Sequence, residues 1–271
     1  MLKDITLGQY FPGNSIAHKL DPRTKILLVT LYIIALFSAK GWMGYAVMAV
    51  TLAACVKVSH VGLRALVRGL KPLVFIIAFT GILNMFFTPD THYLWEWGIL
   101  RVSVKGIENA LFMVIRIMLL VMGTFLMTYT TSPIRLTDGL ESLLNPLKKI
   151  HVPVHELAMM MAIALRFIPT LIEETDKIMS AQKARGADFD SGNIFQKAKA
   201  LVPILVPLFI SAFRRADELA TAMECRCYHG GEGRTRLKVL RFGALDWEAL
   251  VLCTLAFAAL WATRFLMPGV L

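Results

Sequence analysis

Five apolar stretches, separated by links of alternating basic content, constrain this chain more than any other feature. They run over residues 26–39, 42–56, 72–87, about 107–130 and about 246–267. A helix needs roughly 20 mostly apolar residues to cross a hydrocarbon core about 30 Å thick. The first stretch is short for that task, and Arg23 and Lys25 at its start are expected to snorkel toward water. Arg116 lies within the fourth stretch, either for function or as a polar contact to a neighbouring helix. Hydrophobic residues make up 56% of the 271, above the roughly 45–50% of soluble domains. Yet 18% of residues are charged, too many to lie buried, since each charge costs a few kcal/mol at the bilayer centre. The expected fold is an all-α integral membrane protein with about five transmembrane helices and a sizeable water-facing part.

That part is the region 131–245, which holds 16 Lys/Arg and 12 Asp/Glu. Its apolar residues keep helical spacing. One set is Leu157, Met160, Ala164, Ile168, Leu171 and Ile178; a second is Phe209, Ala212, Phe213, Ala216, Leu219 and Met223. Both follow the i, i+3, i+4, i+7 rule for one buried face. Opposite faces carry i, i+4 pairs such as Glu173–Lys177 and Arg214–Glu218. Two long amphipathic helices are expected, kinked or broken at Pro169, Pro203 and Pro207. Residues 88–106, with Tyr93, Trp95 and Trp97, predict a short extended segment or hairpin at the membrane interface.

Lys and Arg fix the orientation. There are four up to residue 25, one in the 39–42 link, four in 57–71, two in 88–106 and 16 in 131–245. By the positive-inside rule the N-terminus and 131–245 face the cytoplasm, and five spans place the C-terminus outside. The expected organisation is 1–130 for transmembrane helices 1–4, 131–245 for the cytoplasmic amphipathic helices, and 246–271 for the last span. The first helix is expected to start at Asp21-Pro22-Arg23, an acidic cap followed by proline. Asp138 and Glu141 are placed on a solvated helix face.

Several classes are disfavoured. The net charge of +10 fits the positive-inside bias without nucleic acid, for which no binding signature is present. Cys55, Cys225, Cys227 and Cys253 form no disulfide framework, and the polar N-terminus with Pro12 and Gly13 does not read as a signal peptide. The glycines from Gly230 to Gly233 lack the lysine of a phosphate loop. His155-Glu156 begins like a zinc-protease helix but is followed by no second histidine, and no nucleophile elbow is present. Cys225-x-Cys227-x-His229 offers three soft ligands where a closed zinc site wants four, so no metal is expected. A membrane enzyme would need a His, Asp or Glu cluster near the bilayer. What remains is a coupling or scaffold subunit whose energy source lies in another chain, or a scaffold for an unrelated cytoplasmic partner.

Two short sites stand out. One long helix runs into Ala184-Arg185-Gly186, the other into Cys225-Arg226-Cys227 followed by Tyr228 and Gly230. Glycine suits the left-handed position after a helix. An arginine there complements the helix dipole, worth about 0.3–1 kcal/mol, and can also enter an acidic groove as a planar, permanently charged fork. Two arginines in matched contexts favour a two-pronged docking device.

These stretches, together with Tyr10-Phe-Pro-Gly13, His18-Lys-Leu-Asp21-Pro22-Arg23-Thr-Lys25, Ser132-Pro-Ile-Arg135, Asn145-Pro-Leu-Lys-Lys149 and Leu165-Arg-Phe-Ile-Pro169, resemble the transmembrane T component of energy-coupling-factor transporters. The resemblance runs from about residue 5 to 245. It implies a non-catalytic coupling subunit in the cell membrane. Two cytoplasmic ABC ATPases bind and hydrolyse ATP, and a separate S component in the bilayer binds the vitamin, so this chain holds no cofactor of its own. In the family, each of two Ala-Arg-Gly motifs ends a coupling helix and docks one ATPase. Ala184, Arg185 and Gly186 match; Cys225 and Cys227 replace the Ala and Gly around Arg226. With no glycine at 227, the second helix is expected to continue through Cys227 and end near Tyr228–Gly230, with Arg226 inside its last turn and the cysteines at a tight ATPase contact. Met159, Met160, Met161, Met179 and Met223 would offer S components an adaptable face.

Overall fold

The computed structural model describes residues 10–89, 93–97, 100–187, 189, 193–231 and 239–266. Ten α-helices and one hairpin follow in order: α1 (Ile16–Lys19), α2 (Pro22–Ser38), α3 (Gly41–Ser59), α4 (Leu63–Leu70), α5 (Val74–Phe87), β1 (Tyr93–Trp97), β2 (Leu100–Ser103), α6 (Val104–Thr130), α7 (Pro133–Leu144), α8 (Val154–Ala184), α9 (Ile194–Cys225) and α10 (Ala244–Leu266). A 3-10 turn, Lys71–Leu73, joins α4 to α5, and a 3-10 segment, Asn145–Ile150, follows α7. Gly233 lies outside the described residues. The chain forms two compact units; among the described residues one comprises those up to Ser142 and from Val239 onward, the other those from Leu143 to Gly231.

The first unit is built around a stripe on α3. Tyr45, Met48, Leu52 and Val56 recur at helical spacing and meet Ala35 and Leu36 of α2, Leu66 of α4, Leu119 and Tyr129 of α6 and Leu260 of α10. Helix α2 starts as expected: Asp21 Oδ1 accepts from the Arg23 amide at 2.9 Å and Pro22 takes the first position. Ser103 caps α6, accepting from the Gly106 amide at 2.9 Å. Gly106 lies under α5, where an added Cβ would come within 2.7 Å of the Met85 carbonyl oxygen. The hairpin is present, antiparallel, with Glu96 opposite Arg101 and an irregularity between Tyr93 and Trp95.

Two expectations fail at the base of this unit. Lys25 does not snorkel. Its ammonium is buried and donates to the Thr130 carbonyl at 2.9 Å and the Thr131 hydroxyl at 3.0 Å, because the end of α6 offers acceptors closer than bulk water. Glu141 is buried rather than solvated; α7 packs back on the start of α2, with Gly139 against Pro22. Asp138 is exposed, as expected. Arg116 proves to be a polar contact between helices: its Nε donates to the Tyr45 hydroxyl at 2.9 Å and its guanidinium lies over the Phe37 and Tyr45 rings.

Among the described residues, five helical segments are long and apolar enough to cross a membrane: Gly41–Ser59, Leu63–Phe87, Val104–Thr130, Val154–Ala184 and Ala244–Ala262. The number matches the sequence reading and the membership does not. At 17 residues α2 spans only about 25 Å at 1.5 Å per residue, whereas α8 qualifies on its apolar first half. Large apolar side chains stand exposed along these segments, Phe75 at 79% and Leu252 at 69%, an arrangement suited to lipid.

Candidate functional site

The second unit, taken by itself, is an antiparallel pair of long helices. Of the kinks or breaks expected at Pro169 in α8 and at Pro203 and Pro207 in α9, the breaks do not occur: both helices run on through their prolines. The pair is clamped at Glu174. Its carboxylate accepts from the Ser211 hydroxyl and from Arg215 Nη2, the latter at 2.9 Å. Further along, Gln182 Nε2 donates to the Pro203 carbonyl at 3.4 Å. The i, i+4 pairing of Glu173 with Lys177 along one helix carries no sign of this clamp between helices, since no local rule relates residues 37 or 41 positions apart.

Helix α8 ends in a Schellman motif. The Ala187 amide donates to Gln182 O at 3.0 Å and the Gly186 amide to Lys183 O at 3.0 Å, with Gly186 left-handed at φ 85°. Arg185 occupies the cap position, its backbone no longer helical. This is the expected end.

Helix α9 ends in the same motif, and the expectation of a longer helix is overturned. The Tyr228 amide donates to Met223 O at 3.1 Å and the Cys227 amide to Glu224 O at 2.8 Å. Cys227 adopts φ 54° in place of a glycine, so the helix stops at Cys225 and Arg226 sits at the cap rather than inside the last turn. A left-handed cysteine costs about 1–2 kcal/mol. Against that cost the turn closes two carbonyls that would otherwise be orphaned, and His229 Nδ1 donates to the Cys227 carbonyl at 2.8 Å. A sequence signal did exist: Met223 and Tyr228 occupy the two positions where Schellman motifs carry an apolar pair.

Arg185 and Arg226 therefore hold equivalent positions in two matched caps. Ala184, Arg185, Gly186, Cys225, Arg226 and Cys227 are all exposed, and among the described residues neither guanidinium meets a carboxylate. The helix-to-helix bonds bring Arg226 level with about residue 159 of α8, which separates the two arginines by about 40 Å along the pair at 1.5 Å per residue. Beyond α9 the chain continues along α8, and Gly231 lies against the His155 ring. Of the methionines, Met160 is exposed and Met159, Met161, Met179 and Met223 are half-buried. Among the described residues no three His, Cys, Asp or Glu side chains come together as a metal cluster.

Comparison with known proteins gives consistent matches. The family model CbiQ, described as "Cobalt transport protein", matches residues 13–237. A protein of Ruminiclostridium cellulolyticum named energy-coupling factor transporter transmembrane protein EcfT is 56% identical over 246 residues, covering 91% of this chain and 92% of the relative. Proteins of the same name from Thermosediminibacter oceani and Bacillus subtilis are 54% and 46% identical over 265 and 264 residues, covering 98% and 97% of this chain and 100% of each relative.

Proposed function

Because the chain belongs to the cobalt transport protein (CbiQ) family, and its relatives are named as transmembrane components of energy-coupling factor transporters, we propose that it is the coupling subunit of such an importer. It carries no catalytic centre. Two cytoplasmic ABC ATPases bind and hydrolyse ATP, and each takes one arginine-tipped helix end into an acidic groove, Arg185 in one and Arg226 in the other. Closure of the ATPases pulls on the tips, and the clamped α8–α9 pair carries the motion to a membrane-embedded S component that holds the vitamin.

The observation that carries this reading is the matched pair of caps. Two exposed guanidiniums that meet no carboxylate among the described residues, on matching backbone turns about 40 Å apart by helix rise, suit two copies of one kind of groove. A helix-dipole role alone would not require the second turn to hold a cysteine in a left-handed conformation to keep Arg226 in place.

Co-expression with the ATPases and an S component tests the reading. Arg185→Glu and Arg226→Glu are each expected to remain in the membrane while losing ATPase co-purification and uptake. Truncating one partner of a buried, hydrogen-bonded charge pair costs about 2–5 kcal/mol, and reversal costs at least that. Wild-type uptake by either variant overturns the docking role.

A further inference from the structure

Helix α4 presents Arg64 and Arg68 one turn apart, with Lys71 following in the 3-10 turn. Leu66 and Leu70 on the same helix are buried, so the three cations stand on its outward side, and all three are exposed. No Asp or Glu occurs anywhere from residue 22 to 89, and among the described residues none of the three cations has an ion-pair partner. Directly beside them opens a groove of about 940 Å³ between α4, α5 and α6. Its walls are apolar: Val67, Ile77, Ala78, Val114 and Met118 line it. From Lys71 to Ala78 the groove follows about 10 Å of helix.

We propose that this groove binds an anionic phospholipid, with the phosphate at Arg64, Arg68 and Lys71 and an acyl chain laid over Ile77 and Met118. Three clustered cations repel one another and favour an anion, and an apolar trough under the same cations favours an attached hydrocarbon. A free phosphate would leave the trough empty, and a neutral lipid would leave the cations unanswered. Basic residues beside membrane helices are the usual headgroup sites of the anionic cytoplasmic leaflet. This site is on the other unit from the arginine-tipped helices and does not depend on how those helices dock.

Native mass spectrometry of the purified full-length protein, loaded with phosphatidylglycerol or phosphatidylcholine of identical acyl chains, tests it. The wild type is expected to retain phosphatidylglycerol preferentially. The triple variant Arg64→Gln, Arg68→Gln, Lys71→Gln is expected to lower its retention on the order of a hundredfold, at roughly one kcal/mol per cation. Ala78→Phe fills the trough, keeps every charge and is also expected to lower retention; millimolar inorganic phosphate is expected not to displace the lipid. Equal retention of the two lipids, unchanged retention by either variant, or displacement by phosphate overturns the proposal. So does a photocrosslinker at position 78 that captures a protein chain instead of lipid in native membranes.

Discussion

Cys227 shows how much a single backbone angle controls at the tips. At φ 54° it fills a position that glycine occupies at Gly186, and its left-handed conformation is what leaves Arg226 at the cap. Cys227→Gly should therefore keep the turn and relieve its strain. Up to about 1–2 kcal/mol is available, read as a raised thermal midpoint of the purified protein with uptake retained. Cys227→Val should do the reverse, because a β-branched residue tolerates positive φ poorly. A fall in stability for the glycine variant would mean that the thiol itself holds the turn. His60 and His151 also sit at positive φ, at 54° and 61°, each just past a helical segment, so a non-glycine helix end is a recurrent device in this chain.

At the scale of elements, the α8–α9 pair is rigid only as far as its cross-links allow. Glu174 is the main one, bridging Ser211 and Arg215. The pair is partly exposed, with side-chain accessibilities of 38% for Arg215 and 23% for Glu174, so a double-mutant cycle of Glu174→Ala and Arg215→Ala should give a coupling of about 0.2–1 kcal/mol. The tip-to-tip spacing depends on this clamp, so Glu174→Ala is also expected to reduce uptake while ATPase binding persists.

For the whole molecule, the proposed orientation has a direct test in the chain's own thiols. Cys225 and Cys227 are exposed, and with Cys55 and Cys253 replaced by serine they report the side on which the tips lie. An impermeant maleimide should label them in inverted vesicles and not in intact cells; labelling from outside reverses the topology. The fold that carries this arrangement is closed by contacts far apart in sequence. Asp246 Oδ1 accepts from the Asp21 amide at 2.8 Å while its Oδ2 accepts from the Gly243 amide at 2.8 Å, so one carboxylate of α10 seals the start of α2. Lys25 ties the same turn to the end of α6.

Alone, the sequence determined what depends on neighbours along the chain. Hydropathy and helical period set the helices. Asp21 and Pro22 set the start of α2, and glycine set the end of α8. The alternation of basic links suggested sides, and the two arginine motifs marked the tips. Tertiary structure decided whatever depended on distant partners. Lys25 turned inward because α6 ends beside it, and Glu141 was buried because α7 folds onto α2. Glu174 found Ser211 and Arg215 across the hairpin, and the α9 cap closed at Cys227 although the local propensity argued for a longer helix. The physical reason is common to all four: a propensity of about one kcal/mol per residue is a weak prior, and satisfying buried or terminal polar groups is worth as much or more.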